Sequence, residues 1–296
     1  MMALPQTLRG ELKHQESLDR YTSWRVGGVA KQLYRPADAD DLAVFLRQLP
    51  ADEAVMWLGL GSNLLVRDGG FNGTVIVTAG VLQQIDTEGL TVNAEVGTYC
   101  SKLAKQAAKA GMKGAAFLAG IPGTLGGALA MNAGAHGSET WDFVQSVTTI
   151  DRQGLLRTRA KSEFDISYRH VALAEGEWFV AAQLQFEQGD AKEESALIRE
   201  LLKKRNASQP TNQPCAGSVF RNPEGDFAGR LIETSELKGL TVGGASVSTK
   251  HANFIVNDGS ATAADIEAPI QLVQQKVEAQ QGVKLIPEVH IVGDAL

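Results

Sequence analysis

The sequence predicts an α+β protein of two or three domains. Three observations carry this: helix-period segments alternate with short strand-type runs, glycine is concentrated in a few segments of the 296-residue chain, and a polar stretch with two prolines at 206–214 divides it. At roughly 100 to 200 residues per domain, such a chain holds two or three sizeable cores.

The elements follow in order. Asp38-Ala39-Asp40-Asp41 offers a helix cap, after which Leu42, Phe45, Leu46 and Leu49 recur at i, i+3, i+4 and i+7 until Pro50 ends the helix. Val55-Met56-Trp57-Leu58 reads as a buried strand that runs into Gly59-Leu60-Gly61-Ser62-Asn63-Leu64. Thr74 to Thr78 and Thr91 to Val96 read as strands, and Thr98 is expected to cap a helix that carries Leu103, Ala104, Ala107 and Ala108 and stops at Gly111. From Gly114 to Gly137 the chain has glycines at 114, 120, 123, 126, 127, 134 and 137 and almost no charge, a density that predicts neither an ordinary helix nor a strand. Val147 to Ile150, Leu155 to Arg159 and Trp178 to Phe186 read as strands, and Glu193 to Arg205 as an amphipathic helix with Leu197, Ile198, Leu201 and Leu202 inward. Beyond the 206–214 linker come a short helix around Gly229 to Thr234, a strand at Asn253 to Asn257, a helix from about Thr262 to Gln281, and a final strand near Val289 to Val292. Pro269 either interrupts the long helix or lies in its first turns.

Composition excludes several classes. With 44% hydrophobic residues and no apolar run near the roughly 20 that a span needs, membrane insertion is not expected. Met1-Met2-Ala3-Leu4-Pro5 is not a secretory signal, so the expected location is the cytoplasm. Twenty-eight basic against 34 acidic side chains give a net charge of −6, which argues against a nucleic-acid partner and leaves anionic ligands to local sites. Cys100 and Cys215 form no C-x-x-C pair and read as reduced structural thiols; histidines 14, 136, 170, 251 and 290 form no metal motif, so no metal is expected.

Chemistry concentrates in four places. Gly59-x-Gly61 follows a strand but lacks the third glycine of the dinucleotide fingerprint, and no P-loop motif occurs. It reads equally as a tight turn and as a loop whose backbone N–H groups, with Ser62 and Asn63, approach phosphate oxygens. In the second segment Gly120, Gly123, Gly126 and Gly127 would let an extended backbone lie flat against a large ligand, with Pro122 fixing a bend and Asn132 offering hydrogen bonds; the alternative is close packing of core backbones. Two such loops a subdomain apart suggest a pyrophosphate held from both sides, as in a dinucleotide cofactor. Ser218 lies in Pro214-Cys215-Ala216-Gly217-Ser218-Val219-Phe220-Arg221-Asn222-Pro223, where Ala216 and Phe220 replace the glycines of a nucleophile elbow, so a hydrolase nucleophile is disfavoured. Glu288 and His290 share one face of the last strand, where an exposed acidic residue is the plain reading.

Taken together, Thr22-Ser23-Trp24-Arg25-Val26-Gly27-Gly28, Gly59 to Leu65, Gly120-Ile121-Pro122-Gly123-Thr124-Leu125-Gly126-Gly127, Tyr168-Arg169, Gly217 to Pro223 and Pro287-Glu288-Val289 resemble, in order and spacing, the UDP-N-acetylenolpyruvoylglucosamine reductase (MurB) family of peptidoglycan-precursor flavoenzymes. The resemblance runs from about Tyr21 to Gly293. Phe227 to Ile232 followed by Gly243 to Phe254 is similar to the substrate domain of the type II form.

This resemblance implies a two-subdomain FAD-binding cradle of the vanillyl-alcohol-oxidase/PCMH-like kind, at 1–79 and 80–200, plus a C-terminal α+β substrate-binding domain at 206–296. It implies non-covalent FAD, since the first loop has no His or Cys, and NADPH as reductant. Gly59, Gly61, Ser62, Asn63 and Leu64 would line one side of the cofactor, and Gly120, Ile121, Gly123, Thr124, Gly126 and Gly127 the other. The implied reaction is reduction of UDP-N-acetylglucosamine enolpyruvate to UDP-N-acetylmuramate. Arg169 and Glu288 would stabilise the charge that develops on the substrate, with Glu288 able to donate only when protonated, and Ser218 would deliver a proton to carbon. Arg221, which stands where many members carry lysine, or Asn222 would stabilise the transient alkoxide; Lys250, Arg230 and Arg205 are the candidates for the substrate phosphates.

Overall fold

The computed structural model describes residues 7–296. Seven strands precede residue 100: β1 (Glu11–Ser17), β2 (Val29–Arg35), β3 (Val55–Leu58), β4 (Leu64–Val66), β5 (Phe71–Val77), β6 (Ile85–Glu88) and β7 (Thr91–Glu95). The helices are α1 (Ala39–Gln48), α2 (Cys100–Lys109), α3 (Leu125–Ala130), α4 (Ala191–Ser208), α5 (Ala228–Thr234) and α6 (Ala263–Gln281). The class is α+β, as expected.

Chain contacts define two compact units that do not follow linear order. One holds the chain up to His14, Gln32–Gly59 and Gly73–Leu202; the other holds Gln15–Lys31, Leu60–Asn72 and Lys203–Leu296. Each has its own core, because each collects a separate set of apolar faces. In the first, an antiparallel sheet in the order Leu156–Ala160, Val144–Asp151, Glu177–Gln185, β7, β6 packs with α1, α2 and α3 around Leu42, Leu103, Leu125, Trp141 and Phe179. Parallel pairing of β3 with β5 matches Leu58 to Val77 and so fixes where the chain enters the Gly59 turn. In the second, Thr241–Val242, Ala245–Val247 and Ile255–Asn257 form a three-stranded sheet on which α6 packs through Ile266, Ile270 and Val273. Trp24, fully buried, donates its indole N–H to the Ile255 carbonyl at 2.7 Å, so its polar atom is satisfied in that core. Burying each such large side chain contributes about 1.5–3 kcal/mol.

The caps follow side-chain chemistry. Asp38 accepts from Asp41 N at the start of α1, and Thr262 forms a capping box with Asp265 at the start of α6. The Asp68 carboxylate accepts two further N–H groups of α6, from Ala263 and Ala264, at 2.9 Å each. Gly282 ends α6 at φ 71°, the left-handed conformation that suits a residue without Cβ.

Several expectations are corrected. Thr98 does not cap α2; Tyr99 occupies that position, and the buried Thr98 offers its backbone carbonyl to Leu125 N instead. The second glycine segment is not extended: it contains a short 3-10 turn, Ala116–Gly120, and then helix α3 with Gly126 and Gly127 inside it. Its helix is tolerated because packing against β7's end replaces propensity, as described below. Helix α4 runs through Ser208 into the expected linker, and Leu197, expected inward, is 40% exposed while Ile198 and Leu201 are buried. Of the two expectations for Pro269 the second holds: it lies in the second turn of α6, buried, and the helix continues through it. The regular part of the last strand starts at His290, so Glu288 lies just before it. Among the described residues, no helix is long and apolar enough to cross a membrane.

Candidate active site

The Gly59 turn is shaped by steric demand. Gly61 has φ 63°, and a Cβ there would lie 2.1 Å from the Tyr21 carbonyl oxygen, so only glycine fits. Ser23 N donates to the Gly61 carbonyl at 3.2 Å and fixes the turn from its other side.

Immediately beyond it, the turn is tied to two other segments of the same unit. Gly217 N donates to the Ser62 carbonyl at 3.1 Å, directly before Ser218. Asn63 Nδ2 donates to the Glu288 carbonyl at 3.0 Å, and His290 N donates to the Asn63 carbonyl at 3.0 Å. Leu64 then pairs with His290 as β4 runs parallel to His290–Val292. Ser62, Asn63 and Leu64 are thereby brought together with the backbone on either side of Ser218 and Glu288. Asn63 acts as a brace, a role that its amide in a turn did not announce.

The Ser218 and Glu288 loops also bind each other. Glu288 N donates to the Val219 carbonyl at 2.7 Å, and Arg221 N donates to the Ile286 carbonyl at 2.9 Å, with Phe220 bridged to Pro287 between them. Glu288 is half-buried. Arg221 is half-buried too, and its Nε is buried without a hydrogen-bond partner. Burial and the nearby Arg221 guanidinium both push the His290 ring below the ordinary histidine range.

Ser218 opens on a cavity of about 530 Å³ that also takes in Asn222, Arg230, Lys250 and His251. Asn222 Oδ1 accepts from Ala228 N at 3.1 Å and so caps α5 from outside it. Arg230 is exposed and paired with Asp226, and the guanidinium holds the Asp226 carboxyl down at about 2. Lys250 Nζ donates to the Asn206 carbonyl at 2.5 Å. Arg205 does not line this cavity: its Nε donates to Gln209 at 3.1 Å, and burial beside Cys215 pushes its pKa below the ordinary arginine range. His251, which the sequence did not single out, has a depressed pKa from burial and then from Lys238. Its Nδ1 accepts from Asn253 N at 3.2 Å, which leaves the proton of the neutral ring on Nε2.

The other unit carries the second glycine segment. The first two N–H groups of α3 are taken by the end of the β7 segment: Leu125 N donates to Thr98 O at 2.8 Å and Gly126 N to Val96 O at 2.9 Å. That close approach needs glycine, since a Cβ at Gly126 would stand 2.9 Å from Val96 Cβ. At Gly127 a Cβ would meet nothing within 4 Å. Gly120 and Gly123 shape the approach to α3: a Cβ at Gly120 would stand 3.0 Å from His136 Nε2, Gly123 N donates to the Ile121 carbonyl at 2.9 Å, and the Gly123 carbonyl accepts from Cys100 N at 3.0 Å.

Between α3 and β3 lies a cavity of about 120 Å³ lined in part by Trp57, Gly59, Gly126, Gly127 and Trp178. Trp57 and Trp178 stack with ring centroids 5.2 Å apart. Trp57 Nε1 and, beside Gly59, Thr124 Oγ1 are both buried with no hydrogen-bond partner in the protein. Buried polar atoms are ordinarily paired, so two orphans beside an open helical glycine and a flat aromatic wall fit a ligand with flat rings and acceptor atoms. The residues present are compatible with part of FAD, since about 120 Å³ takes one portion of the cofactor and not the whole.

Arg169, in the same unit as α3, has a backbone φ of 56° and a side chain that is 16% exposed. Its guanidinium donates to the Asn132 and Gly134 carbonyls at 3.3 Å each and lies over the Tyr168 ring at 4.9 Å. Asn132 is itself buried and anchored, donating to Glu139 at 2.7 Å and accepting from Trp141 N at 3.1 Å.

The matching family models divide the chain in sequence order and so cut across the two units, since Leu60–Asn72 belongs to the second. A family model described as FAD binding domain matches residues 30–159, and one described as UDP-N-acetylenolpyruvoylglucosamine reductase, C-terminal domain, matches residues 209–292. UDP-N-acetylenolpyruvoylglucosamine reductase of Alkalilimnicola ehrlichii is 56% identical over 296 residues, covering 100% of this chain and 99% of its own length. The protein of the same name from Legionella pneumophila is 55% identical over 97% of this chain and 94% of its own. Among solved structures, that of the UDP-N-acetylenolpyruvylglucosamine reductase (MurB) from Thermus caldophilus aligns with a TM-score of 0.83 at 33% identity, covering 96% of this chain and 99% of that one.

Proposed function

The chain belongs to the UDP-N-acetylenolpyruvoylglucosamine reductase family, and on that premise we propose that it reduces UDP-N-acetylglucosamine enolpyruvate to UDP-N-acetylmuramate with NADPH, in peptidoglycan precursor synthesis. The observation that carries this reading is the hydrogen-bonded convergence of the Ser62-Asn63 turn with the backbone flanking Ser218 and Glu288. It ties a cofactor-type glycine turn to both acid–base candidates.

FAD, when bound, would supply two-electron hydride chemistry between NADPH and the methylene carbon of the enolpyruvyl group. Trp57, Gly59, Thr124, Gly126 and Gly127 would hold it on one wall, with Gly61, Ser62, Asn63 and Leu64 forming the turn, and Gly120, Ile121 and Gly123 leading into α3. After hydride addition, the electron pair of the former double bond rests on the adjacent carbon and its carboxylate. By the family resemblance Arg169, which donates to two carbonyls and lies 4.0 Å from the Glu139 carboxylate, would offer a cation to that charge, and Glu288 would donate a hydrogen bond in its protonated form. The Ser218 hydroxyl gives its proton to the carbon, and solvent restores the serine proton. Arg221, whose buried Nε lacks a partner, is suited to stabilise the transient alkoxide. Asn222, Lys250 and Arg230 border the cavity at Ser218 and would supply cations and a donor for a nucleotide diphosphate; Arg205, bonded to Gln209, is not among its lining. The three-part division into two cofactor subdomains and a substrate domain belongs to the same proposal.

The test is anaerobic and spectroscopic. Protein reconstituted with FAD is expected to lose flavin absorbance on addition of NADPH and regain it on addition of UDP-N-acetylglucosamine enolpyruvate, with UDP-N-acetylmuramate formed in equal amount. Flavin that is reduced but not reoxidised by that substrate contradicts the reading.

A further inference from the structure

Resting on the function proposed above, we propose that Asn253 is a positioning residue that sets the height and direction of Ser218. Among the described residues the Ser218 side chain makes no hydrogen bond, so its place is dictated by its backbone. That backbone is gripped from two sides. On one side Val219 O accepts from Glu288 N at 2.7 Å and Arg221 N donates to Ile286 O at 2.9 Å. Before the serine, Gly217 N donates to Ser62 O at 3.1 Å, and the remaining bonds to the two residues after it come from Asn253.

Asn253 is 3% exposed and uses three groups on the two residues after Ser218. Its Oδ1 accepts from Phe220 N at 2.9 Å, its Nδ2 donates to Phe220 O at 2.8 Å, and its backbone carbonyl accepts from Val219 N at 3.0 Å. A carboxamide paired with both the N–H and the C=O of one residue fixes that peptide in translation and in rotation, because a slip in either direction breaks one bond. Asparagine is the side chain that carries a donor and an acceptor at this reach: aspartate loses the donor, leucine both, and glutamine adds a methylene. The same residue gives its N–H to His251 Nδ1, so it also sets the tautomer of the imidazole on the cavity wall. Proton delivery to carbon from a hydroxyl demands close range and correct angle, and misplacement by about 1 Å costs on the order of 100-fold. Asn253 supplies that precision without touching the reacting atoms.

The experiment uses the FAD-loaded full chain carrying Asn253→Asp, nearly isosteric, and Asn253→Ala. Flavin content and the rate of flavin bleaching by NADPH are expected to stay near wild type, while reoxidation by substrate falls about 100-fold in kcat with little change in KM. In Asn253→Asp the loss is expected to recede as pH falls, since the protonated carboxyl regains a donor for Phe220 O; Asn253→Ala has no such rescue. Hydrogen exchange of the Phe220 amide, read by mass spectrometry on the unliganded chain, is expected to accelerate in Asn253→Ala, which removes the acceptor of that N–H, and to change little in Asn253→Asp, which keeps it. Reoxidation at the wild-type rate in Asn253→Asp at high pH, a loss confined to KM, or unchanged Phe220 exchange in Asn253→Ala overturns the proposal. If Asn253→Ala does not fold, the Asn253→Asp pH profile decides. Failure of the proposed function shows separately, as wild-type protein that substrate does not reoxidise; Phe220 exchange then still decides whether Asn253 holds the loop.

Discussion

The cavity between α3 and β3 and the loop at Ser218 are built on opposite principles. Around the cavity, Trp57 Nε1 and Thr124 Oγ1 are buried without partners, and Gly127 faces open space. Around Ser218, nearly every backbone group is spoken for: Asn253, Glu288, Ile286 and Ser62 each bond to the loop. Unpaired buried donors cost about 1–3 kcal/mol each unless a ligand completes them, so the first region is built to receive. The second is built to hold one hydroxyl still, and a site that must place a proton benefits from rigidity before substrate arrives. Variants in the first region should therefore change cofactor retention, and variants in the second should change the substrate step.

The largest effect belongs to Gly126→Val. A branched Cβ placed 2.9 Å from Val96 Cβ forces α3 away from the end of β7, and the protein is expected to purify without flavin and to lose about 1–3 kcal/mol or more in chemical denaturation. A folded variant with a full flavin spectrum would place the cofactor elsewhere. Next comes Glu288. Glu288→Ala should slow substrate reoxidation of the flavin by on the order of 100-fold, and Glu288→Gln, which keeps a donor of similar shape, by less. Equal damage in the two would mean that the carboxylate acts as an ion. Flavin reduction by NADPH should survive in both.

Gly127→Ala sharpens the comparison because its two consequences point in opposite directions. With nothing within 4 Å of the new Cβ, the apo-protein should gain about 0.5–1 kcal/mol from helix propensity, while FAD affinity, measured by fluorescence titration, should fall. A gain in stability with unchanged affinity would show that the open space is not the cofactor's. The smallest effect is electrostatic. Arg230 holds the Asp226 carboxyl at about 2, below the ordinary aspartate value of 3.8, so its contribution is present above about pH 4 and fades as pH falls toward 2. Arg230 is exposed and Asp226 partly so, and the difference between wild type and Asp226→Asn in denaturation at pH 6 and at pH 2.5 should be slight, and smaller still in high salt.

These two regions were unequally legible in the sequence. The class, the cap of α1 and the strand leading to Gly59 follow from periodicity and capping chemistry, because both act over a few neighbouring residues. The order and spacing of the glycine, Arg169, Ser218 and Glu288 blocks carried the family resemblance. What could not be read is what depends on distant partners. Gly126 and Gly127 look like helix breakers until Val96 and Thr98 are seen to take the first N–H groups of α3. Thr98 resembles a cap until its carbonyl is claimed by Leu125. Asn253 reads as the first residue of a strand, which in fact starts at Ile255, and only the return of the chain against Phe220 gives the carboxamide its task. Asn63, taken as a phosphate donor, is drawn to the Glu288 carbonyl 225 positions away.

The central claim is that Ser218 serves the substrate step and nothing before it. Stopped-flow absorbance of the FAD-loaded Ser218→Ala variant, mixed anaerobically first with NADPH and then with UDP-N-acetylglucosamine enolpyruvate, tests this directly. The flavin should bleach at the wild-type rate and then regain its absorbance at least about 100-fold more slowly than wild type. Recovery at the wild-type rate would contradict the assignment of Ser218.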